Sequence, residues 1–128
     1  MPTHEHMVKT VEAYVDAFSR GDPAAVRDLF AADATVEDPV GSPPHVGHAA
    51  IEAFYAASMQ TGAKLKLEGP VRTAASYAAF PFSANLTLPH GPARIDVVDV
   101  FRFDDDGKVV SMQAFFSPAN MHGMTADA

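Results

Sequence analysis

One acidic residue, Asp99, lies in a segment whose other alternate positions are large and apolar. Between Arg94 and Phe103 the alternation predicts a strand, one face of which carries Ile95, Val97, Asp99, Phe101 and Phe103. An ionised carboxylate is costly among such neighbours, so its pKa is expected to rise and keep the group protonated. A neutral carboxylic acid can donate a hydrogen bond and polarise a carbonyl oxygen. The same pattern also fits a partly hydrated edge strand, or an Asp99 carboxylate that is ion-paired with Arg94 or Arg102.

Tyr14 and Asp38 are two further candidates, and both depend on the elements around them. Tyr14 lies on the apolar stripe of an amphipathic helix predicted from about Glu5 to Arg20, so its side chain is expected to be buried. Asp38 ends a short strand, 34–38, that must stop at Pro39, beside a loop rich in turn residues. Taken singly, Tyr14 is typical of a core tyrosine and Asp38 of a turn or cap residue.

The remaining elements are predicted from periodicity and from turn residues. A second, short helix begins with Asp22 as N-cap and Pro23 at its first position and extends through Phe30, and a third covers about 48–59. Strands follow at about 64–68, 80–88, 94–103 and 108–116, with Pro81 marking an edge or a bulge. Helices followed by an antiparallel meander predict an α+β domain with the helices on one face of the sheet.

Composition restricts the partners. The chain of 128 residues is expected to form a single domain over 1–128, with a core at about 5–120 and short flexible ends. Its 9 basic and 16 acidic residues give a net charge of -7, so nucleic acid is not an expected partner. The absence of cysteine excludes disulfides and thiolate sites, and no segment of the sequence is long and apolar enough for a membrane span. A cytoplasmic location is the default expectation.

Two other groups of polar residues receive simpler interpretations. His45 and His48 have a spacing that a metal could use, but no carboxylates are patterned around them, so they are interpreted as solvated. The run 104–107, Asp-Asp-Asp-Gly, lacks the distal glutamate of a calcium loop and predicts a hairpin turn. No metal ion is therefore expected.

Several of these segments together resemble one family. They are the run 31–41 (Ala-Ala-Asp-Ala-Thr-Val-Glu-Asp-Pro-Val-Gly), Tyr14 on the first helix, the segment 98–103 around Asp99, and the segment 109–112. The chain resembles the bacterial ketosteroid isomerases over most of its length, from the first helix to about Asn120. The resemblance implies the cone-shaped fold of nuclear transport factor 2, with three N-terminal helices packed on a curved, mostly antiparallel sheet. It also implies a homodimer and no cofactor.

The resemblance further implies roles for individual residues. Asp38 matches the general base, and Tyr14 and Asp99 match the two donors to the substrate oxygen, a protonated aspartic acid being a known feature of this family. Tyr55 matches a tyrosine that supports the catalytic one by hydrogen bonding, and Phe30 stands where some members carry a further tyrosine. The residues expected to bind the steroid are Tyr55, Phe30, Phe54, Phe82, Phe101, Met112 and Phe116.

The implied activity is the conversion of a Δ5-3-ketosteroid into its Δ4 isomer, by intramolecular proton transfer through a dienolate. Two alternatives stay open. Another enzyme on the same scaffold is the first: an epoxide hydrolase, which would hold a water with polar residues and place an arginine between two acids, or a polyketide cyclase. The second is a non-catalytic binding or assembly module, for which a solvent-exposed Asp99 would be the indication.

Overall fold

A computed structural model describes residues 1–125, in which three α-helices and eight strands form the domain. The helices are α1 (His4–Ser19), α2 (Pro23–Arg27) and α3 (His48–Met59), and a short 3-10 helix spans Pro118–Asn120. The strands are β1 (Phe30–Glu37), β2 (His45–Val46), β3 (Lys64–Leu67), β4 (Arg72–Ala74), β5 (Tyr77–Leu88), β6 (Gly91–Phe103), β7 (Val109–Phe115) and β8 (Met121–His122). The flexible end expected at the C-terminus includes residues 126–128, which lie outside the described residues.

Local sequence determines where the first two helices begin. The Thr3 side chain accepts a hydrogen bond from the His6 backbone N–H at the start of α1, and Asp22 accepts one from Ala25 at the start of α2. Pro23 occupies the first turn of α2, where a backbone N–H would have no partner within the helix. The predicted first helix and the predicted cap of the second are confirmed.

The predicted end of the second helix is wrong. The sequence pattern extends α2 through Phe30, whereas the helix ends at Arg27 and Phe30 opens β1. Phe30 pairs in parallel with Val109 of β7 and is only 1% exposed, so burial in the sheet outweighs the local helical pattern. As a result, β1 is longer than predicted and ends one residue before Asp38.

The sheet is mixed but mostly antiparallel. Its main path has the strand order β2-β1-β7-β6-β5-β3, while β4 pairs with β5 and β8 pairs with β6. β1 and β7 run parallel, and the other pairings within residues 1–125 are antiparallel. Side chains of the helices and of the inner sheet face form one hydrophobic core. The predicted α+β class is confirmed.

Pro81 lies inside the sheet rather than at its edge or in a bulge. It belongs to β5 and pairs with Val98 of β6, whereas on its other side β3 covers only residues 82–85 and β4 only residues 77–79. Across the gap between β3 and β4, the Pro81 carbonyl accepts the Glu68 N–H at 3.0 Å. In an antiparallel strand the N–H and C=O of one residue point to the same side, so the missing N–H of Pro81 is on the side of this gap. Its absence therefore removes no hydrogen bond to β6.

The turn between β6 and β7 is the predicted hairpin. Asp104 Oδ1 accepts the backbone N–H groups of Asp106 and Lys108, and Gly107 adopts a φ of +82°, which favours glycine.

No helix among residues 1–125 is long and apolar enough to cross a membrane.

Candidate active site

Asp99 is buried in the middle of the sheet. β6 lies between β5 and β7, and Asp99 pairs with Phe80 on one side and with Ala114 on the other. The residue is 1% exposed, and neither carboxyl oxygen has a hydrogen-bond partner among residues 1–125. The interpretation of Asp99 as part of a partly hydrated edge strand is therefore wrong.

The two candidate arginines do not pair with Asp99. Arg94 Nε lies 2.6 Å from Asp96 Oδ1, and Arg102 is exposed on the opposite face of β6. Without a nearby cation, burial raises the pKa of Asp99 well above its usual 3.8, and the Asp38 charge adds to the rise. The Tyr14 hydroxyl has the opposite effect and lowers the pKa of Asp99, although no hydrogen bond joins the two groups. The balance favours a protonated Asp99 at neutral pH.

Tyr14 of α1 and Tyr55 of α3 form a buried pair between two helices. Their hydroxyl oxygens are 3.0 Å apart, which is the hydrogen bond that the family resemblance implies. The Tyr14 ring also makes edge contacts with Phe101 and Phe80, at 5.2 and 6.2 Å between ring centroids. Burial raises the pKa of both phenols well above the usual 10.0, and the negative charge of Asp38 raises it further. Both hydroxyls therefore keep their protons at neutral pH.

Asp38 has a different environment from Asp99. It directly follows β1, at the start of the loop that leads to β2, and it is half-buried. Burial raises the pKa of Asp38 from 3.8 to about 6. At pH 7 most Asp38 side chains are ionised, and each is a stronger base than an ordinary aspartate. One carboxyl group can thus accept a proton while the other donates a hydrogen bond.

Tyr14 and Asp38 line one cavity with a volume of about 270 Å³. Apart from these two residues and from Ser58 and Thr61, its walls are apolar: Phe18, Ala63, Leu65, Phe82, Ala84, Leu86, Ile95, Phe116 and Met124. Asp99 is not part of the wall. A more open groove of about 550 Å³, lined by Lys64, Arg94, His122 and six further residues, contains none of the three candidates. The chemistry therefore points to the smaller cavity.

The seven residues predicted to bind substrate lie at different depths. Phe82 and Phe116 line the cavity. Phe54 is half-buried and stacks on His45, with ring centroids 4.4 Å apart. The other four are buried in the core and do not line the cavity: Tyr55, Phe30, Phe101 and Met112.

Sequence reasoning missed several wall residues. Leu65, Leu86 and Ile95 lie on strands, and their alternation with polar neighbours was a signal that could have identified them as facing the same side as Asp99. Met124 follows β8, and its position depends on the pairing of β8 with β6. No local pattern indicates that pairing.

The two histidines interpreted as solvated have specific contacts. His48 Nε2 lies 2.7 Å from the Phe30 carbonyl oxygen, and His45 stacks on Phe54. Both are half-buried, so the solvated interpretation is wrong. Within the described part of the chain, no group of three His, Asp or Glu side chains is arranged to hold a metal ion.

Comparison with known proteins identifies the family. Residues 11–112 match the SnoaL-like domain. The chain belongs to this family. This SnoaL-like protein is also 44% identical over 112 residues to a protein named steroid Delta-isomerase from Nocardioides simplex, covering 87% of this chain and 89% of that protein.

A solved structure is similar to the SnoaL-like protein over almost the whole chain. It is that of SalBIII, an epoxide hydrolase/cyclase-like enzyme described as having a role in pyran ring formation in the polyether salinomycin. The TM-score is 0.83 at 26% identity, and the match covers 92% of this chain and 96% of the other. The resemblance to ketosteroid isomerases and the fold of nuclear transport factor 2, both expected from the sequence, are confirmed.

Proposed function

We propose that this chain is a steroid Δ-isomerase that converts Δ5-3-ketosteroids into Δ4-3-ketosteroids. The observation that carries the proposal is the contrast between two carboxyl groups near Tyr14. Burial raises the pKa of Asp38 to about 6 and that of Asp99 well above its usual 3.8, so the fully buried group is the one that favours its neutral form. The 44% identity to a steroid Delta-isomerase supports the same activity.

In this mechanism Asp38 moves a single proton. Its carboxylate removes the proton from the carbon between the ketone and the double bond. The electrons of that C–H bond form a new C=C bond, and the ketone oxygen takes the negative charge of a dienolate. Asp38 then returns the proton to the far end of the dienolate, giving the conjugated ketone. The same group takes and returns the proton, so the reaction as proposed is balanced without a cofactor.

Tyr14 and Asp99 are proposed to stabilise the dienolate oxygen by donating hydrogen bonds. A donor in such a site typically contributes roughly 3 kcal/mol to transition-state stabilisation. Tyr14 lines the cavity, and its hydroxyl group is oriented by the hydrogen bond with Tyr55. Asp99 is 1% exposed and does not line the cavity, so this role requires the bound ketone oxygen to reach its carboxyl group past the wall beside Tyr14. That carboxyl group has no partner among residues 1–125, and the substrate oxygen would supply the acceptor.

The remaining site residues are proposed to act by packing. Phe82 and Phe116 would contact the steroid rings directly, since both line the cavity. Phe101 would hold the Tyr14 ring by its edge contact. Tyr55, Phe30, Phe54 and Met112 would support this arrangement from behind the wall.

The alternative enzyme on this scaffold would hydrate or cyclise its substrate. An epoxide hydrolase of the kind considered above requires an arginine between two acids. The described residues that line the cavity include no arginine, lysine, asparagine or glutamine. This composition favours proton transfer within one apolar substrate. Burial of Asp99 also removes the observation that would have favoured a non-catalytic module.

We further propose that the enzyme is a cytoplasmic homodimer, as the family resemblance and the default expectation suggest. Val98 and Phe115 support a contact through the outer sheet face, because they are neighbours on β6 and β7 and are 41% and 48% exposed. Sedimentation of the purified protein should give twice the mass of one chain. A mass of one chain at micromolar concentration would contradict the dimer.

The activity is tested by mixing the purified protein with a Δ5-3-ketosteroid and recording the absorbance of the conjugated enone. The proposal predicts a protein-dependent rise that requires no added metal or cofactor. An absence of any rise with folded protein would refute it. Parallel incubation with an aliphatic epoxide tests the hydrolase alternative, and no diol is expected.

A further inference from the structure

One end of the cavity is bounded by Met124, the last residue of the segment 121–124, which is here called the C-terminal strap. Two of its residues pair with β6: Met121 lies opposite Ile95, and His122 lies opposite Arg94. The strap occupies the part of β6 that β7 leaves unpaired, because β7 covers only residues 98–103 of that strand. The strap is therefore an extension of the sheet rather than a loose end.

Side-chain contacts also fix the strap. His122 Nε2 lies 3.1 Å from Asp96 Oδ2, and His90 Nε2 lies 2.9 Å from the Gly123 carbonyl oxygen. Gly123 has a φ of +71°, and a Cβ at this position would lie 2.5 Å from the Pro92 carbonyl oxygen. Only glycine fits here, and the turn it makes brings the next residue to the cavity.

That next residue, Met124, lines the cavity, as do Leu86 and Ile95, and the pairing of Met121 with Ile95 places the strap at this end. This end is far from Asp99 along the sheet. Ile95 is four residues from Asp99 on β6, which corresponds to about 14 Å at ~3.4 Å per residue. Leu86 pairs with Ala93, which is two residues further. A rigid substrate whose ketone lies at Tyr14 and Asp99 would direct its opposite end toward Met124.

The hydroxyl groups of Ser58 and Thr61 already donate hydrogen bonds to backbone carbonyls. Ser58 Oγ donates to the Phe54 carbonyl at 3.0 Å, and Thr61 Oγ1 donates to the Ser58 carbonyl at 2.8 Å. The other described residues of the wall at this end are apolar, namely Ala63, Leu65, Ala84, Leu86, Ile95 and Met124. Recognition here therefore depends on size and shape, and a flexible methionine side chain can adapt to different apolar surfaces.

We propose that Met124 is a specificity-determining residue that packs on the end of the steroid opposite the ketone, and that the C-terminal strap holds it there. The inference rests on the proposed function for the identity of the substrate. It predicts that the enzyme distinguishes Δ5-3-ketosteroids by the bulk of the substituent on the ring furthest from the ketone. A polar group of small size in the same place should have little effect.

The test compares two Δ5-3-ketosteroids, one with a carbonyl oxygen and one with a bulkier acyl group on that far ring. Met124→Trp should raise KM for the bulky steroid roughly 10-fold more than for the small one. Met124→Ala should raise KM for both, with kcat within about twofold, because the contact is equal in ground and transition states. Met121→Ala is the matched control, since Met121 lies on the same strap but does not line the cavity.

A second readout separates binding from turnover. A one-ring phenol reaches only the Tyr14 end, so its Kd should be the same for wild type, Met124→Ala and Met121→Ala. A four-ring steroid phenol should bind Met124→Ala several-fold more weakly than it binds the other two proteins.

The outcomes of the two proposals are distinguishable. If wild type isomerises both steroids but the KM ratio is unchanged by Met124→Trp, the role of Met124 is wrong and the proposed function stands. The same conclusion follows if Met121→Ala changes the ratio as much as the Met124 variants do. If wild type isomerises neither steroid, the proposed function fails, and the two phenol affinities alone support or overturn the role of Met124.

Discussion

Asp38 and Asp99 are the same amino acid, yet their surroundings give them different chemistry. Asp99 is enclosed between β5 and β7 with no hydrogen-bond partner among the described residues, so its neutral form is favoured. Asp38 follows the end of β1 and remains half-exposed, so its pKa rises only to about 6. The two environments therefore shift the pKa values to different extents, in the direction that each proposed role requires.

Loss of either hydrogen-bond donor should reduce turnover. Tyr14→Phe and Asp99→Ala should each lower kcat by roughly 10² to 10³, since each removes one donor to the dienolate oxygen. Asp99→Asn should be milder because an amide can still donate. Initial rates at saturating steroid measure these effects. Tyr77→Phe is the matched control, because Tyr77 is 47% exposed and outside the cavity. An Asn variant as impaired as the Ala variant would contradict hydrogen-bond donation by Asp99.

The unusual position of Asp99 could be predicted from the sequence, but the convergence of the site could not. Strict alternation in β6 places a carboxyl group on an apolar face whatever the fold is. That Tyr14 of α1, Asp38 after β1 and Asp99 of β6 approach one another depends on contacts between distant segments. Only the family resemblance suggested it.

At the level of elements, the sequence predicted long periodic segments well and short ones less well. α1, α3 and the β5–β6 hairpin are long, so their apolar residues repeat at a constant spacing over many positions and the pattern is unambiguous. The segment around Phe30 has too few residues to distinguish a helix end from a strand start, and its parallel pairing with β7 decided the outcome. Pro81 resembled an edge residue because the gap between β3 and β4 cannot be detected locally.

The protein should become more stable when Asp99 of β6 is replaced by an apolar residue. A buried, unpaired carboxyl group costs free energy on folding, so Asp99→Leu should keep or raise Tm at pH 7 while abolishing activity. The pKa of Asp99 is higher in the folded protein than in the unfolded chain. When the pH rises above the unfolded-state pKa, the unfolded chain releases this proton and the folded protein keeps it, so the protein becomes less stable. The advantage of Asp99→Leu should therefore be small at pH 4 and larger at pH 7.

Thermal melts of ligand-free protein at the two pH values test this prediction. Asp96→Ala is the control on the same strand, because Asp96 is a half-exposed partner of Arg94 and His122. Solvent screens such ion pairs, so its removal should leave Tm almost unchanged. A large loss of stability in Asp99→Leu at pH 7 would mean that Asp99 is chiefly structural.

At the level of the whole molecule, the burial of Asp38 by the surrounding fold should set the pH range of activity. Asp38 must be ionised to take the proton, so kcat/KM should rise tenfold per pH unit below about 6 and become constant above it. Burial raises the pKa of Tyr14 well above 10.0, so loss of the phenol proton should not limit the plateau up to pH 9. Steady-state kinetics between pH 4 and 9 give the profile. Activity that is highest in acid would show that a protonated Asp38 is required instead.

Asp38 is proposed to be the group that moves the proton. The most direct test is the turnover number of Asp38→Ala for a Δ5-3-ketosteroid, measured beside the Kd of a steroid phenol for the same protein. General base catalysis of this kind contributes roughly 10² to 10⁴, so turnover should fall by that factor. The Kd should stay equal or become lower, because Asp38 repels a bound phenolate and does not hold the rings. Near-native turnover in Asp38→Ala would contradict the account.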